Sequence, residues 1–443
     1  YAVKYREPKL ILSDQVNAAS RLLDHREPKE RVERVAPWLT IDGNIYPAVV
    51  DGRIQWIVDG YTTSDRYPNS RLTDLADATS DSVSEASRVV NVATGRVNYI
   101  RNSVKATVDA YDGTVRLYGW DTSDPLLKAW GRIFPGSVRP ISEISSQLMS
   151  HMRYPQDLFK VQRQLLTKYH VTDPAAFYGG QDFWRVPKDP THPSQAQDQP
   201  TYYQSLAMPG QSAPTFSLTT TFIPVGGARE ILRGFLAVDA DAGAEAGKPS
   251  TDYGSMRLLE LPQASAVDGP GQIQNQIEVS TERSQSPTES LNLSQFIAQN
   301  RQAGKTLTFG NLLTLPVGGG LLYVQPMYVQ AAKEGGSFPQ IKATVAVFGK
   351  KVAWGETLGQ ALDGLFGGNS GAATGEGTPS PGATPSPGTT PPQQSPTAQL
   401  AAAIEEIQAA YAAGQDALKA GDFTAYGAAQ KRLEAAIAKA AAA

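Results

Sequence analysis

Three Asp-Gly pairs, at 42–43, 51–52 and 59–60, recur every 8 or 9 residues and constrain this chain more than any other feature. Asp-Gly supplies the positive φ that tight hairpin turns demand, so residues 37–64 read as an antiparallel meander with strands at Ile45–Val50 and Arg53–Val58. Ile54, Trp56 and Val58 then share one face of the second strand. A second hairpin surrounds Asp112-Gly113. Val104, Ala106, Val108 and Ala110 lie on one face and Lys105, Thr107 and Asp109 on the other, with Val115 and Leu117 answering across the turn. That pattern predicts a half-buried pair. Tight hairpins leave no crossover length, so a mostly parallel sheet is excluded here.

Further along, the period changes. Residues 71–93 are polar and read as an exposed helix or long loop. Residues 142–153 and 155–169 read as two helices, with Pro155 in the first turn of the second and Leu158, Val161, Leu165 and Tyr169 as its apolar stripe. The proline-rich stretch 186–213 reads as a long surface loop and a possible subdomain boundary. Strand character returns at 216–224, 231–238, 255–261, 307–316, 321–329 and 340–348, where Ile341, Ala343, Val345 and Val347 alternate cleanly. No charge falls between Lys305 and Lys333. Pro316, Pro326 and Gly318-Gly319-Gly320 break that stretch, which makes two strands around a glycine turn rather than a membrane span.

With 443 residues there is room for two or three structural units. The fold class expected is α+β: a mainly antiparallel β core with peripheral helices over 1–366. Residues 367–397 are Pro-, Gly-, Ser- and Thr-rich and too apolar-poor to offset their ordering entropy, which predicts a disordered linker. The tail, 398–443, reads as an Ala-rich helical hairpin, with Gly421 ending one helix and Asp422 capping the next. It resembles half of a tetratricopeptide array. A hairpin that short buries little, so it is expected to dock on a protein partner or a neighbouring subunit.

The chemistry is sparse. Zero cysteines exclude disulfides, thiol catalysis and Cys-ligated metals. Forty basic against 43 acidic side chains, without a Lys/Arg block, argue against a nucleic-acid partner. The scattered tryptophans do the same. His25, His151, His170 and His192 show no metal-ligand spacing. Gly304-Lys305-Thr306 lacks the glycine that a phosphate loop needs five residues earlier, where Gln299 stands. Gly269-Pro270-Gly271 is no dinucleotide fingerprint. No cofactor is expected. The one acidic constellation is Asp239 and Asp241, following the strand 231–238, which together could hold a hard cation. A calcium loop would need glycine and glutamate where Ala244 and Ser250 stand.

Several stretches together carry a resemblance. They are Ala36-Pro37-Trp38-Leu39-Thr40, Tyr46-Pro47-Ala48-Val49-Val50-Asp51-Gly52, Val58-Asp59-Gly60-Tyr61-Thr62-Thr63-Ser64, and Tyr154-Pro155-Gln156-Asp157-Leu158-Phe159. Gly269-Pro270-Gly271-Gln272 and Gly310-Asn311-Leu312-Leu313-Thr314-Leu315-Pro316, running into Leu322-Tyr323-Val324, complete the set. In these the chain resembles uncharacterised protein family 0182, large multi-spanning membrane proteins found mainly in actinobacteria, with relatives in cyanobacteria.

The resemblance implies topology more than chemistry. This chain, which starts at Tyr1 without an initiator Met, would be the soluble C-terminal region of a cell-membrane protein whose own spans are its first partner. An odd number of spans with a cytoplasmic start would place it outside the cytoplasmic membrane. Three functions are then open. The first is a non-enzymatic extracytoplasmic domain supporting complex assembly or envelope lipid and polymer handling. The second is a substrate-gating domain of a membrane transporter. The third is a metal-dependent envelope hydrolase using Asp239 and Asp241, although the link Ala244–Ser250 looks longer than the family's usual one.

Overall fold

The structure is a computed structural model that describes residues 24–82, 95–192, 197–226, 230–262, 264, 266–286, 288–302, 304–331, 338–368, 409–410, 413–414, 417 and 423–442. Among the described residues, three larger antiparallel-rich sheets, one two-stranded sheet and covering helices make an α+β fold. In chain order the first strands are β1 (Thr40–Ile41), β2 (Tyr46–Val50), β3 (Arg53–Ser64), the short pair β4 (Thr73–Asp74) and β5 (Arg96–Val97), β6 (Tyr99–Asp109), β7 (Val115–Gly119) and β8 (Val138–Pro140). The first sheet runs β1-β3-β6-β7-β8, with β2 also on β3, and only β7 and β8 are parallel. The second sheet holds β9 (Trp184–Arg185), β10 (Tyr202–Leu206), β11 (Thr215–Pro224), β12 (Gly234–Asp239) and β13 (Met256–Glu260), in the order β10-β11-β12-β13 with β9 on β11. The third holds β14 (Lys305–Phe309), β15 (Leu313–Val317), β16 (Gly320–Ala331), β17 (Gln340–Phe348) and β18 (Lys351–Gly355), in the order β14-β16-β17-β18 with β15 on β16. Strands stand at each stretch expected after residue 215, but the one expected over 307–316 is two, β14 and β15, which both pair with β16.

Identical dipeptides have different fates. Asp51 and Gly52 both adopt left-handed φ, 50° and 72°, in the two-residue turn between β2 and β3. Gly113 likewise turns the chain between β6 and β7. Asp59-Gly60, expected as a turn, instead lies inside β3, which runs on to Ser64. Gly60 lets the strand pass close to the core there, because a Cβ would stand 3.0 Å from a Leu39 methyl.

The pair expected to be half-buried is covered on both faces. Val104, Ala106 and Val108 pack with Val32, Ala36 and Leu39, under the helix Pro28–Val35. Ile57 and Tyr118, on the opposite face, pack with Ile144, Leu148, Met149 and Met152. Lys105, Thr107 and Asp109 are therefore buried too. The stretch expected as one helix over 142–153 is a 3-10 turn, Ile141–Glu143, and a short helix, Ser146–Met149.

The next helix is Gln156–Tyr169, with Pro155 as its N-cap. It buries Asp157, Leu158, Phe159, Lys160, Val161, Arg163 and Thr167, while Leu165 and Tyr169, assigned to the inward stripe from sequence, are exposed. Residues 75–82, read as exposed, form a helix, Leu75–Thr79, and bury Asp81 and Ser82; residues 83–93 lie outside the described residues. The stretch 186–213 is not simply a surface loop. It contributes β10 and buries Val186, Asp189, Gln199, Leu206 and Met208, its backbone groups meeting partners such as Gln199 N to Pro187 O at 2.9 Å.

The second and third sheets meet through Leu206, Met208, Phe235 and Ala237 against Leu315. The third sheet carries the helices Pro270–Val279 and Leu293–Asn300 on one face and Leu358–Phe366 on the other. Of the linker expected over 367–397, Gly367 caps the helix Leu358–Phe366, and residues 369–397 lie outside the described residues, as does the Gly421-Asp422 cap. In the tail the helix Phe423–Ala442 is described, and Gly414 lies against Ala429 and Tyr426. Among the described residues of the tail, Ala410, Ala417 and Ala429 are buried.

Candidate functional site

The densest chemistry lies where the first sheet meets the Gln156–Tyr169 helix and the second sheet. Register places Asp59 of β3 directly opposite Lys105 of β6. The Lys105 ammonium donates to Asp59 Oδ1 at 2.5 Å and to the Arg153 carbonyl at 2.8 Å, and stands 4.9 Å above the Trp120 ring. A buried charge of this kind survives only when paired and hydrogen-bonded, and both conditions are met.

Behind this pair, Asp42 follows β1 with no exposure to solvent. Its Oδ2 accepts from the Tyr61 hydroxyl, in a short hydrogen bond, and from the Asp157 amide at 3.0 Å. Its Oδ1 accepts from the Asn44 amide at 2.6 Å. Asp157 reciprocates, taking the Gly43 amide on its own Oδ2 at 2.7 Å. Each acid thus caps the other's segment, and Asp157 sits in the first helical turn, where the dipole favours negative charge. Three and six residues on, Lys160 meets Asp81 at 2.8 Å, Asp157 at 3.5 Å and the Thr79 carbonyl at 3.0 Å, while Arg163 donates to the Gln199 carbonyl at 2.9 Å.

Burial pushes the Asp42 carboxyl up to about 8, with the charges of Asp157 and Asp59 adding to the effect and the Tyr61 hydrogen bond opposing it. Burial also raises Asp157, against the pull of Lys160. The Tyr61 phenol is held well above its ordinary range by burial and by Asp42. The cluster can therefore keep a proton at neutral pH. Nearby, the Arg153 guanidinium is held between the rings of Tyr46, at 3.6 Å, and Tyr203, at 4.5 Å, tying β2 to β10.

The residues singled out from sequence lie elsewhere. Asp239 ends β12, where Arg257 donates to Oδ2 at 2.6 Å and Thr215 to Oδ1 at 2.8 Å. Asp241 is exposed and accepts from the Gly243 amide at 2.8 Å. Among the described residues no group of three or more His, Asp or Glu side chains is placed to hold a metal ion. His25 meets Asp24 and Glu30. His170 stacks on Trp184 at 3.5 Å, between the carbonyls of Leu166 and Asp182. His192 pairs with Asp189, and His151 is exposed. Lys305 opens β14 rather than a helix.

Sequence reasoning missed the buried cluster. Lys105 and Asp109 alternate as they would on a wetted face, and Asp59 carries the signature of a turn. The available signal was the spacing Asp157, Lys160, Arg163, a charged row running beside Leu158, Phe159 and Val161.

The model of an uncharacterised protein family, UPF0182, matches residues 1–289. A UPF0182 protein of Arthrobacter sp. (strain FB24) is 52% identical over 99% of this chain and 43% of its own length. Similar proteins of Paenarthrobacter aurescens (strain TC1) and Bifidobacterium longum (strain NCC 2705) are 53% and 51% identical, again over 99% of this chain, and it covers 44% and 42% of their lengths. This chain therefore spans less than half of these relatives. No solved structure matches it. On a family match over most of its length and relatives identical at half of their aligned positions, the chain belongs to the uncharacterised protein family UPF0182.

Proposed function

We propose that this chain is the extracytoplasmic module of a longer, multi-spanning envelope protein, and that it works by holding partners rather than by turning over a substrate. The observation that carries this reading is the closed set of buried pairs, Asp59 with Lys105 and Asp42 with Asp157, which joins the first sheet to the Gln156–Tyr169 helix. Such a network rigidifies a scaffold and specifies one packing. Supporting it, the chain aligns almost completely within relatives more than twice its length, and no described helix is long and apolar enough to cross a membrane. The spans and the attachment to the cell membrane then belong to the remainder of the longer protein.

The test is purification of the full-length protein from native membranes, with partners identified, alongside protease treatment of intact spheroplasts. Stable co-purifying proteins and cleavage of this region from outside are expected. Protection in intact spheroplasts would overturn the placement. A stoichiometric divalent ion, lost in an Asp239→Ala, Asp241→Ala double variant, would favour a metal-dependent hydrolase instead.

A further inference from the structure

The Gln156–Tyr169 helix ends on Lys168 and Tyr169, and the chain passes at once into a short helix, Pro174–Tyr178. Left-handed φ at Gly180 and Asp182, 66° and 58°, then folds it back. Phe183 thereby returns beside Phe177, edge to face, with ring centroids 5.4 Å apart, and Tyr169 closes the other side of Phe177 at 5.5 Å. The return is held in place. The Val225 amide donates to the Phe183 carbonyl at 2.9 Å, and the Asp182 carbonyl lies 2.9 Å from His170 Nε2. The result is a shallow cleft of about 720 Å³ walled by Tyr169, Phe177, Tyr178 and Phe183, with Lys168 and Arg71 at its rim. That volume is the size of a small-molecule site.

Charge and ring geometry bear on what the cleft takes. Apart from the tyrosine phenols, the ionisable side chains that line it are both cations. The Lys168 ammonium stands 5.5 Å above the Phe183 ring, and Arg71 is exposed. Asp173 and Asp182, in the adjoining turns, are not part of the lining, and Asp173 accepts from the Ala176 amide at 2.7 Å. The stretch 83–94, outside the described residues, carries one acid and one base, Glu85 and Arg88, and so brings no net charge of its own. The rings are tilted against one another, by 34° for Tyr169 and Phe177 and by 70° for Phe177 and Phe183, into a concave wall rather than a row pointing at one plane. Such a wall fits a ring laid against it better than a flat bilayer. Tyr178, 94% exposed, offers a further ring face, and the Tyr169, Tyr178 and Thr172 hydroxyls supply polar partners around it.

We infer that this cleft binds an acidic glycan, a chain of sugar rings that bear carboxylates. The C–H face of one sugar ring lies against Tyr178 and Phe177, its hydroxyls meet the tyrosine and threonine hydroxyls, and its carboxylate meets Lys168 and Arg71. The inference is independent of the membrane reading, since it needs only the end of one helix and the turn that follows.

The test uses the full 443-residue chain in isothermal titration calorimetry. The probe is the linear trimer of galacturonic acid. It is compared with its fully methyl-esterified twin, which keeps the rings and loses the charges, and with sodium acetate, which keeps the charge and loses the rings. The acid is expected to bind more tightly than the ester by about tenfold or more, the scale of one charge-assisted contact. Acetate should show no measurable binding. Tyr178→Ala should weaken the acid by about threefold or more, as expected for one lost ring contact. Lys168→Gln should erase the preference for acid over ester, whereas Lys248→Gln, on the far Glu245 pair, should leave it unchanged. No binding of the acid up to millimolar concentration, equal binding of acid and ester, acetate binding as tightly as the trimer, an unchanged affinity in Tyr178→Ala, or an undiminished preference in Lys168→Gln would each overturn the inference. So would sedimentation with phosphatidylglycerol vesicles in the absence of trimer binding, which would make the patch a membrane contact. If Lys168→Gln proves unfolded by circular dichroism, Arg71→Gln decides: a reduced preference supports the site and an unchanged one overturns it.

Discussion

Asp59 and Lys105 stand opposite each other in the centre of the first sheet, 2.5 Å apart and both almost wholly out of water. The geometry ties β3 to β6 and, through the Arg153 carbonyl, both strands to the segment leading into the Gln156–Tyr169 helix. Removing one partner leaves an uncompensated buried charge. Lys105→Met should therefore destabilise the fold by about 3–5 kcal/mol in urea unfolding, while Asp59→Leu, Lys105→Met together should lose much less. Additive losses in the double variant would show that the two groups do not act as a pair.

Asp42 makes stability depend on pH in a definite direction. Its folded value is raised from 3.8 to about 8, so the folded chain keeps a proton that the unfolded chain releases. This group's contribution is complete below the unfolded value, declines as pH rises, and is lost by about 8. Asp42→Asn supplies a neutral side chain of the same shape. Its melting temperature should fall less than that of the parent chain across pH 4 to 8, a window set by those two values. Parallel curves would show that Asp42 is ionised throughout.

At the other extreme, Asp109 is held well below the usual carboxylate range, first by its hydrogen bonds with Arg53 and then by the amides of Tyr111 and Asp112. A lowered value gives stability above the unfolded pKa that is lost as pH falls through the folded one. Asp109→Asn should consequently flatten the acid limb of the stability curve, the opposite end from Asp42→Asn. Thermal melts of the two variants on one pH series would separate these effects.

Gly269 and Gly271 flank Pro270 at the start of the Pro270–Val279 helix for a steric reason. A Cβ on Gly269 would come within 2.3 Å of the Glu230 backbone carbonyl, which also accepts the Gly269 amide at 2.7 Å. On Gly271 it would meet only the Glu230 carboxylate, a movable group. Gly269→Ala should cost more than about 2 kcal/mol, since backbone must shift, and Gly271→Ala clearly less. Equal losses by chemical denaturation would remove the distinction.

Composition alone predicts the site of first proteolysis. A protease of broad specificity should cut within 367–397 before anywhere else and release a core ending near Phe366. Mass spectrometry of the first fragments checks this. A first cut inside any of the three sheets would contradict it.

Much of the fold was legible because its signals are local. Alternation marked β17, a charge-free run bounded by a glycine turn marked β16, and two left-handed residues at Asp51 and Gly52 make the β2–β3 turn whatever surrounds them. Local signals cannot say how many layers cover a strand. Asp51-Gly52 and Asp59-Gly60 are the same dipeptide, yet one turns the chain and the other lies within a strand whose Asp59 meets a buried lysine. Lys105 looks the same on a wetted face as on a covered one, and Ile341 lost its place in the core to a bulge that no alternation count contains. The sequence by itself determined the alternating strand β17, the antiparallel class and the hairpin at 51–52. Only the tertiary structure decided which polar residues are buried and paired, because that depends on what packs against a strand's second face.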